Sequence, residues 1–519
     1  MGQLRIAPTI SGAISLGAYE GGALAALLVA VQALQAKDQD AIRIDAIGGA
    51  SAGCMTGVMV AKILSAGLDP VASMYQTWVE AASLDNLKTS TGKGPLTMDN
   101  LIGTLKSIIA LPIDAEKAQV ASITVRGIIC CLRGFDYEIR GVSQIRGVSQ
   151  DGEQERHIDA VTFVDWSTFT FHSDGTIDPP GTKWLDPGGP VDIALASGSN
   201  AMGFPPRPVD RSGEPWTRYL AEGAQNLPSN TRTLWFTDGG TLDNEPLGHT
   251  LDLTNDLDLT GDDQLPSDGL RLHLLIHPHP APAESGDAWA QTPPNDPSWD
   301  ATLVRAGKLI ATQSLYDDLN HVAKSNSRIR WTAQLGSVLA DLLHQLDQPT
   351  QDKWKAALSD FVSEVRSDKD RLGRSSGAGG VAGTLDEAIG AALGEASGFG
   401  RKQAVEVDVV SPLILGRPEP VADLLAGDFL FAFGGFLDSR FRQSDFALGY
   451  MSMQKWLADN LGRLTGLGVT DVLAAVDAAK HPACAFDPVA ASNPWSRVTA
   501  WERLQAMAVA AHFAKIAIG

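Results

Sequence analysis

The run Gly49-Ala50-Ser51-Ala52-Gly53 places one hydroxyl among four small residues, a spacing suited to nucleophilic attack on a carbonyl. A serine at a sharp strand-to-helix turn is pushed into open space, and small neighbours keep the crossing strand and helix from colliding. The first N–H groups of the following helix, that of Ala52 foremost, then face the oxyanion that attack creates. Two further stretches offer chemistry. The loop beginning Gly12-Ala13-Ile14-Ser15-Leu16-Gly17 is either a place where backbone N–H groups converge on an anion or a tight connection without a ligand. Asp238-Gly239-Gly240 either frees a carboxylate at the end of a short strand, where parallel α/β sheets keep reactive groups, or is a plain Asp-Gly turn.

Such groups need rigid elements behind them. The apolar run ending at Ile47 reads as a buried strand and residues 52–64 as a helix, so Ser51 falls at the turn. Residues 4–11 read as the first strand, followed by the loop at 12–22 and a helix to Gln35. Pro8 lacks a ladder donor, which predicts either a bulge there or an edge position. Residues 194–206 form a small-residue helix stopped by Pro205-Pro206, and 234–237 a short strand emptying into Asp238. Residues 69–111 read as helical with a break at Gly92–Pro95 and carry no legible chemistry. Residues 161–171 are strand-like, and the identical hexapeptides 139–144 and 145–150 read as a local duplication in a loop or hairpin.

The chain has 519 residues, 44% hydrophobic and 20% charged, an ordinary globular composition long enough for a large core. Its formal charge of −20 argues against nucleic acid and against electrostatic docking on anionic membrane. Cys54, Cys130, Cys131 and Cys484 are too few and too irregular for a disulfide framework or a paired-cysteine metal site. With no secretory pattern at Met1–Arg5, a cytoplasmic location is expected. The most apolar helix, about 23–31, is shorter than the ~20 residues that cross a bilayer, so no span is expected.

In the second half, Asp256, Asp258, Gly261 and Asp262 loosely match a calcium loop but lack its closing glutamate. His273, His277 and His279 share strand parity and offer zinc ligands, although ordinary strand-end histidines suit Pro278 and Pro280 better. Neither metal nor cofactor is therefore expected. Residues 302–323 and 335–365 have helical periodicity, 373–400 is Gly-rich and reads as mobile, and 405–415 returns to a strand broken at Pro412. The helical stretch 335–365 on its glycine-rich tether is a candidate cover for an apolar route to Ser51, against a permanently packed helical layer. Phe446, Tyr450, Met453 and Leu457 share one helix face, and Thr499 with Glu502 makes a capping box for a last helix. The division that follows is a core at 1–332, a helical and Gly-rich insertion at 333–404, a return to the core at 405–460 and a helical extension at 461–519.

The order of these motifs resembles the patatin-like phospholipase family. The matching positions are the loop Gly12 to Gly17, the elbow Gly49 to Gly53, the small-residue helix Ala194 to Pro206, and Asp238 to Gly240 followed by Asn244 and Pro246. The resemblance covers about the first 250 residues. It implies a three-layer α/β/α patatin-like hydrolase fold with helical additions in the C-terminal half. It also implies a serine acyl hydrolase of the phospholipase A or lysophospholipase type acting on lipid esters, in passing contact with a membrane surface. Ser51 would be the nucleophile and Asp238 its only side-chain partner, a dyad without histidine, with Gly12, Ala13 and Ala52 as the oxyanion hole. The family loop has consecutive glycines where this chain has Ala13, Ile14 and Leu16, and β-branched Ile14 resists positive φ. That departure keeps open a non-catalytic scaffold binding lipid or protein. The histidine strand keeps open a metal-dependent hydrolase.

Overall fold

The computed structural model describes residues 3–88, 96–114, 117–140, 157–212, 216–221, 223–229, 231–260, 264–266, 269–279, 299–371, 383–397, 404–487 and 498. Among them, eleven strands make one mixed sheet. They are β1 (Leu4–Ile10), β2 (Ile42–Ile44), β3 (Ala46–Ala50), β4 (Ser122–Arg140), β5 (His157–His172), β6 (Ile177–Asp178), β7 (Arg207–Asp210), β8 (Ala224–Gln225), β9 (Thr233–Asp238), β10 (Leu270–Ile276) and β11 (Glu406–Val410). Strands β11, β10, β1, β3 and β4 lie parallel in that order, with β2 beside the start of β1. β4 outruns its parallel partner, and β5, β8 and β9 all join it antiparallel.

The layers follow from the two-residue period of β1. Leu4, Ile6 and Ile10 enter the main apolar core with residues of the helices Gly17–Gln35 and Ala52–Ala66. Ala7 points the other way, packing with Ala46 and with Leu253 of the helix Leu247–Thr260. Thr9 shares that second face, 2.9 Å from the Thr250 hydroxyl. With both faces covered, every residue of β1 is buried. The result is a three-layer α/β/α fold with helical additions in the second half.

Pro8 sits in the middle of this strand, paired with Leu274, and not at an edge. On the other side the register steps from Ile6 opposite Ile44 to Thr9 opposite Gly48. The neighbour therefore carries one residue more than β1 across this interval. The bulge lies in that neighbour, at Asp45 between β2 and β3, where the ladder beside Pro8 is interrupted.

The first helix is longer than its composition led us to expect. With the turn Ile14–Leu16 it runs 22 residues, long and apolar enough to cross a membrane, yet 94% of its apolar window is buried inside the protein. Much of that cover is the helix Ser439–Thr465, whose Phe446, Tyr450, Met453 and Leu457 are all buried. A helix apolar on every side is here the centre of a core.

Several expectations for the second half are corrected. One helix, Trp299–Leu343, joins the expected stretch 302–323 to the start of 335–365, and the rest of that second stretch belongs to a separate helix, Gln348–Arg371. The Gly-rich segment contains a helix, Leu385–Ala396, closed by a Thr384–Glu387 capping box and packed on Trp299–Leu343 and Gln348–Arg371. Asp256 and Asp258 are helical and pair with Arg126 and Arg271, while Gly261 and Asp262 lie outside the described residues. The first hexapeptide copy begins at the end of β4, where Ile139 and Arg140 pair with Ile158 and His157. Its remainder, the second copy, Gly92–Pro95 and the Thr499–Glu502 capping box lie outside the described residues.

Candidate active site

β3 and β9 occupy the same edge of β4 from opposite directions. Ala50, the last residue of β3, is in register with Ile128, and Asp238, the last of β9, with Ile129. The two carboxyl ends meet head to head, so the residue leaving β3 arrives beside Asp238, and Ser51 Oγ donates to Asp238 Oδ2 at 2.7 Å. Asp238 does end a strand, but an antiparallel one. The expectation of a parallel strand end is corrected, and the meeting on β4 replaces it.

Ser51 holds φ 53° and ψ −127°, a conformation that L-residues rarely adopt, between the last residue of β3 and the first of the helix Ala52–Ala66. The flanking glycines answer to space. A Cβ on Gly53 would lie 2.2 Å from Ile10 O, and one on Gly49 2.5 Å from Gly53 O. The strain is held by the helix Pro190–Ser197: Ser197 Oγ accepts the Ser51 N–H at 2.8 Å and donates to Ile128 O. Just beyond that helix, Ser199 O accepts from the Asp238 N–H at 3.1 Å and from Thr237 Oγ1 at 2.8 Å. One helix end thus fixes both members of the pair.

Asp238 is almost fully buried, and that burial pushes its carboxyl up to about 6. Hydrogen bonds from Ser51, from the Gly240 N–H at 2.7 Å and from Asn200 oppose the rise without cancelling it. The carboxylate is consequently a stronger proton acceptor than an exposed one. Beneath the turn, Glu20 lies between Ser11 Oγ at 3.4 Å and Thr56 Oγ1 at 3.5 Å, its carboxyl raised well above the usual range by burial. The Cys54 thiol, pushed up to about 12 by burial, is held as the thiol.

The three expected oxyanion donors stand differently. Ala52 and Ala13 have N–H groups with no acceptor among the described residues. Gly12 does not: its N–H is committed to Asn244 O at 2.8 Å, which corrects its assignment as a donor. Ile14 adopts φ 52° despite its β-branch. That conformation is tied down one residue on, where the Ser15 N–H and hydroxyl both donate to Ala432 O and Ser15 Oγ accepts from the Gly435 N–H.

An apolar pocket opens at Ser51, walled by Met55, Trp78, Met98, Leu101, Leu105 and Phe204. Most of this wall comes from residues 70–109, the segment in which sequence reasoning found no chemistry. No residue of 335–365 lines the pocket, in keeping with the alternative of a packed helical layer and not with a cover. The histidines are dispersed over three environments. His273 is buried and pushed down to about 3 by that burial, His277 Nε2 lies 3.0 Å from Glu245, and His279 pairs with Asp428 at 3.3 Å. Among the described residues no group of three or more histidines, cysteines or carboxylates is placed to share a metal ion.

Sequence reasoning missed Ser197, Ser199, Asn200, Glu20 and the pocket wall. The signal for the first three was present in Ala196-Ser197-Gly198-Ser199-Asn200, where polar side chains gather at the end of a helix built mostly of small and apolar residues.

Fold and site define an α/β protein with a serine at a nucleophile elbow and a buried carboxylate as its partner. Residues 9–251 match the family model described as patatin-like phospholipase, so that this part of the chain is similar to that family. No curated protein is significantly similar to the chain. Among solved structures, the crystal structure of VipD from Legionella pneumophila aligns at 11% identity over 96% of this chain and 92% of that one, with a TM-score of 0.22.

Proposed function

We propose that the protein hydrolyses carboxylic esters of lipids, in the manner of a phospholipase A or lysophospholipase, through Ser51 and Asp238. The observation that carries the reading is the 2.7 Å hydrogen bond from Ser51 Oγ to Asp238 Oδ2 at the end of an apolar pocket. Asp238 takes the hydroxyl proton as Ser51 Oγ bonds to the ester carbonyl carbon, and the N–H groups of Ala52 and Ala13 receive the oxyanion. Collapse breaks the bond to the alcohol, which leaves with the proton from Asp238. Water, deprotonated by the same carboxylate, then releases the fatty acid and restores the serine. The acyl chain lies along Met55, Leu101 and Leu105. Met202, Leu242 and Phe431 are exposed on the loops that carry Asn200, Asp238 and Phe433, and we propose them as the contact with a lipid surface.

Fluorophosphonate labelling followed by a lipid-ester panel on wild type and Ser51→Ala tests this reading. Labelling at Ser51 with hydrolysis lost in Ser51→Ala is expected. An unlabelled, inactive wild type would indicate the non-catalytic scaffold, and activity retained by Ser51→Ala would remove the serine from the mechanism.

A further inference from the structure

We infer that His277 and Glu245 are positioning residues that act through Asn244 to fix the peptide plane carrying the Ala13 N–H, and so aim an oxyanion donor. The inference rests on the acyl-hydrolase reading above. Its starting point is a doubly tied peptide. The Gly12 N–H donates to Asn244 O at 2.8 Å, and Asn244 Nδ2 donates back to Gly12 O at 3.2 Å. The Gly12 carbonyl and the Ala13 N–H belong to one planar trans peptide and point in opposite directions. Holding the carbonyl toward Asn244 therefore turns the Ala13 N–H away from it. The fit is close, since a Cβ on Gly12 would lie 2.3 Å from Asn244 Oδ1 and 2.9 Å from Ser51 Cβ.

What holds Asn244 is a buried chain of hydrogen bonds. Asn244 Nδ2 also donates to Glu245 Oε1 at 2.7 Å, and that same oxygen lies 3.0 Å from His277 Nε2. The imidazole is oriented from its other side, because its Nδ1 accepts the His279 N–H at 3.1 Å. With Nδ1 an acceptor, Nε2 bears the proton and donates to Glu245. Both side chains are buried, Glu245 at 1% and His277 at 6% exposure. His277 sits just past the end of β10, its N–H on Val410 O, so the chain begins on the rigid parallel sheet and ends on the loop at Ser51. The donor direction is thereby set by the sheet and not by the loop alone, whose Ala13, Ile14 and Leu16 replace glycines.

The test compares His277→Leu, Glu245→Leu and His277→Gln with wild type, using a soluble chromogenic ester, fluorophosphonate labelling and thermal melting. His277→Leu loses the donor to Glu245, and Glu245→Leu removes the oxygen that accepts two N–H groups. Each should lower kcat about tenfold with KM within about twofold, because the donor serves the transition state and not ground-state binding. The glutamine of His277→Gln reaches the Nε2 position with an N–H, so its kcat should return to within about threefold of wild type. Should one leucine variant fail to fold, the other carries the comparison. Unchanged kcat in folded His277→Leu or Glu245→Leu overturns the proposal, as does a folded His277→Gln that recovers nothing. A wild type that neither labels nor hydrolyses overturns the acyl-hydrolase reading and this inference with it.

Discussion

The hydroxyl of Ser51 meets the carboxylate of Asp238 at 2.7 Å although 187 residues separate them, because each follows or ends a strand and those strands abut on one edge of β4. The first prediction follows from the burial that this arrangement imposes. With its carboxyl raised from 3.8 to about 6, Asp238 is a base only above that pH, so kcat should rise through about pH 6 and level off beyond it. Stability runs the opposite way. The raised value favours the protonated folded form, so stability is full below the ordinary value and is lost as pH climbs through 6. Asp238→Asn should therefore lower turnover by ~10²-fold or more while raising the melting temperature at pH 7, a gain of up to about 3 kcal/mol from the size of the shift. A pH profile flat between 5 and 7, or a less stable Asp238→Asn, would count against a charged, buried base.

Ser197 tests whether the strained elbow is held from outside. Its hydroxyl accepts from the Ser51 N–H and donates to Ile128 O in a site without solvent. Ser197→Ala leaves both groups unpaired and should cost about 2 kcal/mol in urea unfolding. It should also lower kcat about tenfold, because Ser51 loses the bond that fixes its backbone. A variant as stable and as fast as wild type would mean that the turn holds itself.

How much of this was legible in the sequence depends on the range of the interaction. The elbow could be read because its demands are local: Gly49 and Gly53 are required by contacts with Ile10 and with each other across one turn. The partner carboxylate was harder. Nothing near Asp238 says that its strand runs antiparallel onto the same edge of β4 as β3, and only the chain-wide order of motifs brought the two together. The first helix was judged too short because its ends, Gly17 to Gly22 and Gln32 to Gln35, are mostly small or polar residues that tertiary packing nonetheless keeps helical. The pocket wall had no signature, since apolar residues lining a cavity and filling a core are of the same types. The committed Gly12 N–H was also hidden, because its acceptor is a backbone carbonyl 232 residues away.

Chain-length preference should follow the pocket wall. Leu105 lines the cavity from the helix Asp99–Ile109, and Leu105→Trp adds an aromatic ring to space that an acyl chain would occupy. Hydrolysis of long-chain esters should fall about tenfold or more in kcat/KM, with short-chain esters changed by less than about threefold. An equal loss on both would place the acyl chain elsewhere.

The proposed docking on a lipid surface would have to come from apolar contact, because a chain of net charge −20 is repelled by anionic bilayers. Phe431 is half exposed within a run of left-handed residues, Leu430 to Ala432, that is tied to the loop at 12–17 through Ser15. Its ring is thus presented beside the site by backbone that is itself held. Phe431→Ser removes the apolar contact without touching Ser51 or Asp238. Turnover of a monomeric soluble ester should stay within about twofold of wild type, whereas hydrolysis of zwitterionic phospholipid vesicles should drop about fivefold or more, the expected consequence of losing part of a buried aromatic side chain. Raising the salt concentration should leave vesicle binding by the wild type intact, as hydrophobic docking requires. Equal losses on both substrates would assign Phe431 to the fold of the loop, and an unchanged rate on vesicles would remove it from the lipid contact.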